Sequence, residues 1–293
     1  MDELLTPASA SSYSAVYQLI AWKRYKEALA ETETLLRDDP HNPYPYALYG
    51  QIHLLLSDYE RAEHWATEAL KRDPEHELGW YVRVSVYYET DNEKAFYQAL
   101  QEAQRIDPYE AHYYFLEANR LNKKGKFKEA KERMGAALEL DSENPQYLAM
   151  LSYIEALLGE DNESRRLDRE AIRYGTEEPS VLLYLAWAAF RRGDYKLQET
   201  YMRSAVQFNP DSKQYQDEYL EALRHRYVFY RICLWPNKLL RRMKPWQLIV
   251  TWVLSWMLFK PLVIIFLILH VLAHWSTRAI IHVRIFGWRR RRR

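Results

Sequence analysis

The sequence has a single cysteine, Cys233, so it holds neither an internal disulfide framework nor a cysteine-based metal site. Glycine is scarce at 8 residues and proline numbers 12, a composition that argues against a β-rich or disordered chain. No glycine-rich phosphate loop, Gly-x-Ser-x-Gly motif or Cys/His cluster is present. The opening residues lack the basic and apolar pattern of a signal peptide. We therefore expect no enzyme activity, no small-molecule substrate and no cofactor.

Acidic residues are absent from residues 224–293, whereas 15 of the 41 basic residues lie there. Residues 1–223 then carry 26 basic and 40 acidic side chains, a net charge of −14. The two parts are suited to different surroundings. The acidic part is typical of a soluble domain, and the basic, apolar part favours contact with anionic lipid on the cytoplasmic side of a membrane.

A regular period runs through the acidic part. Pro40, Pro74 and Pro108 recur at a constant step of 34, and the same step continues to Ser142, Thr176 and Pro210. Two rows of mostly small residues keep the same phase: Ala69, Ala103, Ala137, Ala171, Ala205 and Val16, Gly50, Val84, Ala118, Ser152, Ala186. Apolar residues recur at three- and four-residue spacing inside each unit, with a short break near its middle. Each unit is therefore predicted to be two helices joined by a tight turn.

The units resemble tetratricopeptide repeats (TPR) over about residues 9–210. The second unit carries the family's signature residues Gly50, Tyr59, Ala62, Ala66, Ala69 and Pro74, and the third adds Trp80 and Tyr87. Phe96, Ser164 and Gln198 stand where the family prefers alanine, and Asp161 and Asp168 stand where apolar residues are usual. We therefore expect the fifth unit to be the least tightly packed.

The resemblance implies an all-α fold, a TPR-like right-handed superhelical solenoid of about six helix pairs. The helical pattern that follows the repeats predicts a capping helix, and the apolar run beyond it predicts C-terminal membrane-inserted helices. The expected segments are an N-terminal tail (1–8), six repeats (9–210), the capping helix (211–235), a basic juxtamembrane linker (236–245), the membrane-inserted helices (246–286) and a basic tail (287–293).

By analogy with the family, partners bind along a concave face built by the first helix of each pair. The expected partner-binding residues are Tyr17, Tyr44, Gln51, Tyr81, Tyr88, Phe115, Asn119, Tyr153 and Trp187. This aromatic, weakly charged set suits a peptide with apolar side chains, whose backbone groups would bond to the hydroxyl and amide groups. The competing interpretation is that these aromatics only pack between neighbouring helices. The basic side chains of a carboxylate clamp, which would hold chaperone tails, are missing.

The mostly apolar run from Trp246 to Trp275 would extend about 45 Å as one helix, against about 30 Å of hydrocarbon. Lys260 and Pro261 interrupt it, and basic residues flank both of its ends. If positive flanks stay in the cytoplasm, both ends lie on one side, which favours a hairpin that bends at 260–261. A single kinked span and a buried soluble helix are the alternatives. Trp246, Trp256 and Trp275 suit positions at the membrane interface.

His270 and His274 share a helix face and have the spacing of a metal or haem pair, but no third ligand is evident. The terminal arginines favour anionic lipid over nucleic acid. The sequence therefore predicts a membrane-anchored scaffold that recruits protein or peptide partners, with its solenoid facing the cytoplasm. The alternatives are an assembly subunit of a larger membrane complex and a membrane accessory protein with haem or metal on the tail histidines.

Overall fold

The computed structural model describes residues 7–175 and 177–227, together with residues 264, 268, 269, 271, 272 and 275. This part of the chain contains thirteen helices and no strand. The helices are α1 (Pro7–Ala21), α2 (Tyr25–Asp38), α3 (Pro43–Leu55), α4 (Tyr59–Arg72), α5 (Glu77–Glu89), α6 (Glu93–Ile106), α7 (Ala111–Lys123), α8 (Phe127–Leu140), α9 (Pro145–Leu158), α10 (Asp161–Tyr174), α11 (Pro179–Arg192), α12 (Tyr195–Phe208) and α13 (Lys213–Arg226).

The helices fall into two compact units, an amino-terminal unit (Met1–Ser142) with α1–α8 and a carboxy-terminal unit (Glu143–Arg293) with α9–α13. In the amino-terminal unit α3 packs on its partner α4 and on α5 of the next pair, and α5 contacts both α6 and α7. In the carboxy-terminal unit α9 packs on α10 and α11, and α13 packs on α12. Each unit is thus a stack of helix pairs, as the sequence period predicts.

The backbone repeats the sequence period at the turn inside each pair. One residue with a left-handed φ, between 56° and 89°, follows every first helix at the same step: Lys23, Ser57, Asp91, Gly125, Gly159 and Gly193. Glycine adopts this conformation without steric cost, and other residues adopt it rarely. The five positions from Ser57 onward coincide with the predicted breaks between helices.

The connection between pairs depends on proline and a side chain six places later. Tyr46, Trp80 and Tyr114 donate hydrogen bonds of 3.0, 2.8 and 3.0 Å to the carbonyl oxygens of Pro40, Pro74 and Pro108. Gln216 does the same for Pro210 at 2.6 Å. Where Ser142 and Thr176 replace proline, the residues six places later are Leu148 and Leu182, which carry no donor. The proline and its donor therefore occur together.

The small-residue rows mark close helix crossings, as expected. The five alanines of the row that begins with Ala69 are all 0% exposed. A Cβ atom added at Gly50 in α3 would lie 3.2 Å from the Ala62 carbonyl oxygen and 3.2 Å from the Ala66 amide nitrogen of α4. Both of these atoms belong to the backbone and cannot turn away, so glycine sets the separation of this pair.

We expect Gly50→Ala to destabilise the protein by about 1–2 kcal/mol, because overpacking outweighs the better helix propensity of alanine. The matched control is Gly135→Ala in α8, where an added Cβ meets nothing within 4 Å. This control should stabilise by about 0.5–1 kcal/mol, since alanine costs less backbone entropy in a helix. Urea unfolding followed by circular dichroism measures both changes. A stabilised Gly50→Ala variant would show that the α3–α4 crossing can accommodate an added methyl group without strain.

The expectation of loose packing in the fifth unit is wrong at two of its three departures in α10. Ser164 is 0% exposed and Asp168 is 3% exposed. Asp161 lies exposed in the first turn of α10, where a carboxylate is favourable to the helix dipole. The polar residues at the crossing are held by a buried network that includes Ser152 and Arg192. Paired polar groups have replaced apolar ones here without opening the core.

The tail predictions lie almost entirely outside the described residues. This holds for most of 246–286 and for Trp246, Trp256, Lys260 and Pro261. Among the described residues no helix has both the length and the apolarity needed to cross a bilayer. The described tail residues are helical and between 48% and 75% exposed: Ile264, Ile268, Leu269, Val271, Leu272 and Trp275. The predicted capping helix is described as α13, which begins at Lys213 and ends at Arg226.

Candidate protein-binding faces

Tyrosines from α1 and α3 begin an aromatic surface in the amino-terminal unit. The hydroxyl groups of Tyr17 and Tyr44 lie 2.5 Å apart, and Tyr17 is 40% exposed. The Tyr44 ring contacts Tyr13 edge-on at 5.1 Å between centroids and His76, the N-cap of α5, at 5.7 Å. Partial burial, followed by the bond to Tyr44, raises the pKa of Tyr17. Both predicted residues therefore belong to one connected cluster.

Rings from α5 and α7 continue this surface. Tyr81 lies 5.2 Å from His112, which stacks on Phe115 at 5.7 Å. Burial raises the pKa of Tyr81 to about 12 and lowers that of His112 to about 4, so both side chains are neutral near pH 7. Phe115 is only 5% exposed and Asn119 only 6% exposed. These two predicted residues lie beneath the surface, where they support Tyr81 and its neighbours.

A polar row accompanies the rings. Gln51 in α3 and Ser85 in α5 occupy equivalent places in consecutive repeats, and Asn119 continues the row in α7. Gln51 Oε1 and Ser85 Oγ are buried and have no hydrogen-bond partner among the described residues. A buried polar atom without a partner is costly, so such atoms favour a ligand that supplies one. Sequence reasoning missed Ser85, although one repeat step from Gln51 leads to it.

Tyr88 lies at the carboxyl end of α5, against cations from α7. The Arg120 guanidinium is 5.0 Å and the Lys123 ammonium 5.3 Å from the Tyr88 ring centroid. Burial raises the pKa of Tyr88 to about 12. We call the surface made by Tyr17, Tyr44, Gln51, Tyr81 and Tyr88 the amino-terminal face.

The carboxy-terminal unit has a separate aromatic surface across α9, α11 and α13. The Tyr153 and Trp187 rings lie 5.6 Å apart, and Tyr184 meets Trp187 edge-on at 5.6 Å. The Trp187 indole N–H donates a hydrogen bond to the Glu218 carboxylate. Phe190 stacks on His225 with 4.5 Å between centroids. We call the surface made by Tyr153, Tyr184, Trp187 and Glu218 the carboxy-terminal face.

Two family profiles, each described as tetratricopeptide repeat, match residues 19–84 and 162–213. The first region spans part of the amino-terminal unit, and the second spans α10–α12 almost completely. The chain contains tetratricopeptide repeats. The resemblance predicted from the residues is thereby confirmed, and the matched ranges include Tyr44, Gln51 and Tyr81 of one face and Tyr184 and Trp187 of the other. No curated protein matches the sequence significantly.

Solved structures share the tetratricopeptide fold at low identity. The APC/C hetero-tetramer Cut9-Hcn1 aligns with a TM-score of 0.63 at 13% identity, over 73% of this chain and 42% of that one. PilF of Pseudomonas aeruginosa aligns with a TM-score of 0.55 at 17% identity, over 71% and 95%. PilW, a type IV pilus biogenesis factor, aligns with a TM-score of 0.56 at 17% identity, over 73% and 99%. At these identities the similarity shows the fold alone.

The described tetratricopeptide repeats contain no group of three or more His, Cys, Asp or Glu residues placed to hold a metal ion. His270 and His274 lie outside the described residues, so the predicted metal or haem pair stays a prediction. Sequence reasoning missed Tyr184 and Glu218 as members of the carboxy-terminal face. Glu218 lies one repeat step after Tyr184, so extending the repeat phase into α13 would have found it.

Proposed function

We propose that this protein is a membrane-anchored scaffold that recruits protein or peptide partners through the two faces of its repeats. The observation that carries the proposal is the contact of aromatic side chains from successive first helices, combined with their partial exposure. Such rings offer a large apolar area at a small cost in side-chain entropy, and hydroxyl and amide groups beside them fix the orientation of a ligand. Repeats of this kind are generally scaffolds, and we assign no catalytic role.

The basic, apolar tail supports the membrane part of the proposal. Fifteen basic residues and no acidic ones lie in 224–293, and the six described tail residues are apolar or aromatic and about half exposed or more. Contact with water costs about 25 cal/mol for each Å² of such surface, a cost that a lipid phase removes. Basic flanks on both sides of the apolar run favour a tail whose two ends, and with them the repeats, face the cytoplasm.

Anchoring of the repeats at a membrane would allow partners to be recruited with only modest affinity. A repeat domain held at a membrane meets membrane-associated partners at a raised effective concentration, because the encounter is confined to a surface. An aromatic face with partly exposed rings then suffices for recruitment. The scaffold would collect partners at one membrane through contacts that each contribute little.

The test is chemical crosslinking and pull-down from the membrane fraction of cells that express the full chain. Trp187→Ala and Tyr81→Ala should each reduce recovery of crosslinked partners about tenfold or more, because partly buried aromatics dominate interface energies. The controls are Trp22→Ala and Tyr109→Ala, since Trp22 is 58% and Tyr109 is 78% exposed and neither belongs to the faces. If the face variants retain their partners, or if the controls lose them equally, the partners bind at a part of the chain other than these faces.

The same experiment includes a chain that lacks residues 246–293. We expect the intact chain to float with lipid vesicles and the shortened chain to remain in the aqueous fraction, because the apolar run is then missing. An intact chain that stays freely soluble without detergent would refute the anchor. A cysteine introduced by Lys260→Cys in a Cys233→Ser background, probed with impermeant reagents from each side, separates a hairpin from a single span.

A further inference from the structure

Three carboxylates lie close together on α13, and one of them, Glu218, contacts the carboxy-terminal face. Glu218 accepts the hydrogen bond from Trp187, which itself lies 5.6 Å from Tyr153. Asp217 and Glu221 flank Glu218 within one helical turn, and both are exposed. The face therefore combines aromatic rings with a local excess of negative charge.

Within the described residues no arginine or lysine forms an ion pair with these three carboxylates. Neither arginine nor lysine there lies within 4 Å of Asp217, Glu218 or Glu221, and the nearest ionisable partner is His225, 3.9 Å from Glu221. Burial lowers the pKa of His225, so it is uncharged at neutral pH. Burial, followed by the charges of Glu221 and Asp217, raises the pKa of Glu218. Neighbouring ionised carboxylates repel one another, so each makes ionisation of the others less favourable.

Several other acidic side chains of the same unit form ion pairs. Glu163 bonds to Arg166 at 2.5 Å, Asp194 to Arg165 at 3.0 Å and Glu199 to Arg226 at 3.0 Å. The three carboxylates of α13 differ from these because none of them has an arginine or lysine partner within the described residues, and Glu218 contacts the Trp187 ring instead. A bound cation would relieve their mutual repulsion and would at the same time lie over the π-faces of Tyr153 or Trp187.

We propose that the carboxy-terminal face binds a peptide segment in which arginine or lysine alternates with apolar side chains. This inference rests on the proposed recruiting function and names the chemistry of its partner. The apolar side chains would pack against Tyr153, Tyr184 and Trp187, and the cations would pair with Asp217, Glu218 and Glu221. Positive charge on the partner complements both this site and the net charge of −14 on residues 1–223.

The test uses the full chain in zwitterionic detergent and two blocked synthetic peptides of about ten residues, a length that spans neighbouring first helices. One peptide alternates leucine with arginine, and the other alternates leucine with glutamate. Fluorescence anisotropy of the labelled peptides measures affinity. The arginine peptide should bind and the glutamate peptide should not. Asp217→Asn, Glu218→Gln and Glu221→Gln together should weaken binding about tenfold, because each lost charge contact accounts for a factor of a few.

The matched control removes three exposed carboxylates from second helices, through Glu31→Gln, Glu60→Gln and Glu132→Gln. It changes the net charge by the same amount and should leave the affinity unchanged. An equal loss of affinity in this control would show that the preference for the arginine peptide comes from net charge alone. The proposed binding site on α13 would then be wrong. Binding of both peptides with equal affinity, or of neither, would also overturn the charge preference.

The chain's own segment 236–245 is basic and apolar as well, so it is the competing occupant. If Arg241→Gln and Arg242→Gln together tighten binding of the arginine peptide, that segment occupies the face, and the assignment to a separate partner is wrong. The recruiting function is judged independently by the crosslinking experiment. If Trp187→Ala loses crosslinked partners but the triple carboxylate variant keeps them, recruitment stands and the charge preference fails.

Discussion

Arg192→Ala is expected to destabilise the carboxy-terminal unit by about 3–5 kcal/mol, because it leaves a buried carboxylate without its cation. The Arg192 side chain is 0% exposed, and its Nη2 donates to Asp168 Oδ2 at 2.5 Å. Arg192 also donates to Ser164 Oγ, and Ser152 Oγ donates to Asp168. One residue of α11 therefore ties together α9 and α10. Amide hydrogen exchange, read separately for these three helices, measures the loss.

A matched control is Arg166→Ala on the outside of α10. Arg166 pairs with Glu163 and Glu170 at 2.5 Å each, but all three side chains are well exposed. We expect a loss below about 1 kcal/mol there. Asp168→Leu combined with Arg192→Leu should recover most of the loss of Arg192→Ala, because an apolar pair leaves no buried charge. If Arg192→Ala costs no more than Arg166→Ala, the network does not hold the α9–α11 crossing.

The repeat period predicted the helix pairs, their turns and the buried alanine rows, because these features depend on local backbone geometry. The burial of Asp168 and its pairing with Arg192 were not predictable in the same way. Its partner Arg192 lies far along the chain at the end of α11, and only the packing of three helices brings the two side chains together. A polar residue at an apolar position therefore indicated loose packing, whereas the structure pairs it.

The sequence was sufficient to predict which first-helix residues form the faces, but not how deeply each of them is buried. The rows of the repeat identified Tyr44, Tyr81 and Trp187 as first-helix side chains, since position within a helix fixes direction. The same rows could not show that Phe115 is 5% exposed, because burial depends on the ring of His112 stacked on it. Glu218 was missed because the repeat phase was not extended into α13. Partner contact at all of these residues stays a prediction.

Arg120→Ala is expected to destabilise the amino-terminal unit by about 2–4 kcal/mol, because two helix-end carbonyl groups lose a charged donor. Arg120 lies in α7 and is 5% exposed, yet its Nη2 donates to the Tyr88 carbonyl oxygen at 2.7 Å and to that of Tyr87 at 3.4 Å. Its Nη1 pairs with Asp91, the left-handed residue after α5. A cation from the next repeat thus caps the negative end of the α5 dipole.

Two further variants separate the parts played by charge and by packing. Arg120→Met removes the guanidinium that lies over Tyr88 and Phe96 but keeps a long apolar side chain, so it should recover some of the loss of Arg120→Ala. The bond to Arg120, and then its charge, lower the pKa of Asp91 from the ordinary 3.8. Stability from this pair is therefore complete above that pKa and declines as the pH falls through the lower folded value. Acid unfolding should reveal this decline in the wild type and not in Arg120→Met. An identical pH dependence in both proteins would show that Asp91 contributes nothing through Arg120, and that the capping of α5 by Arg120 is the whole effect.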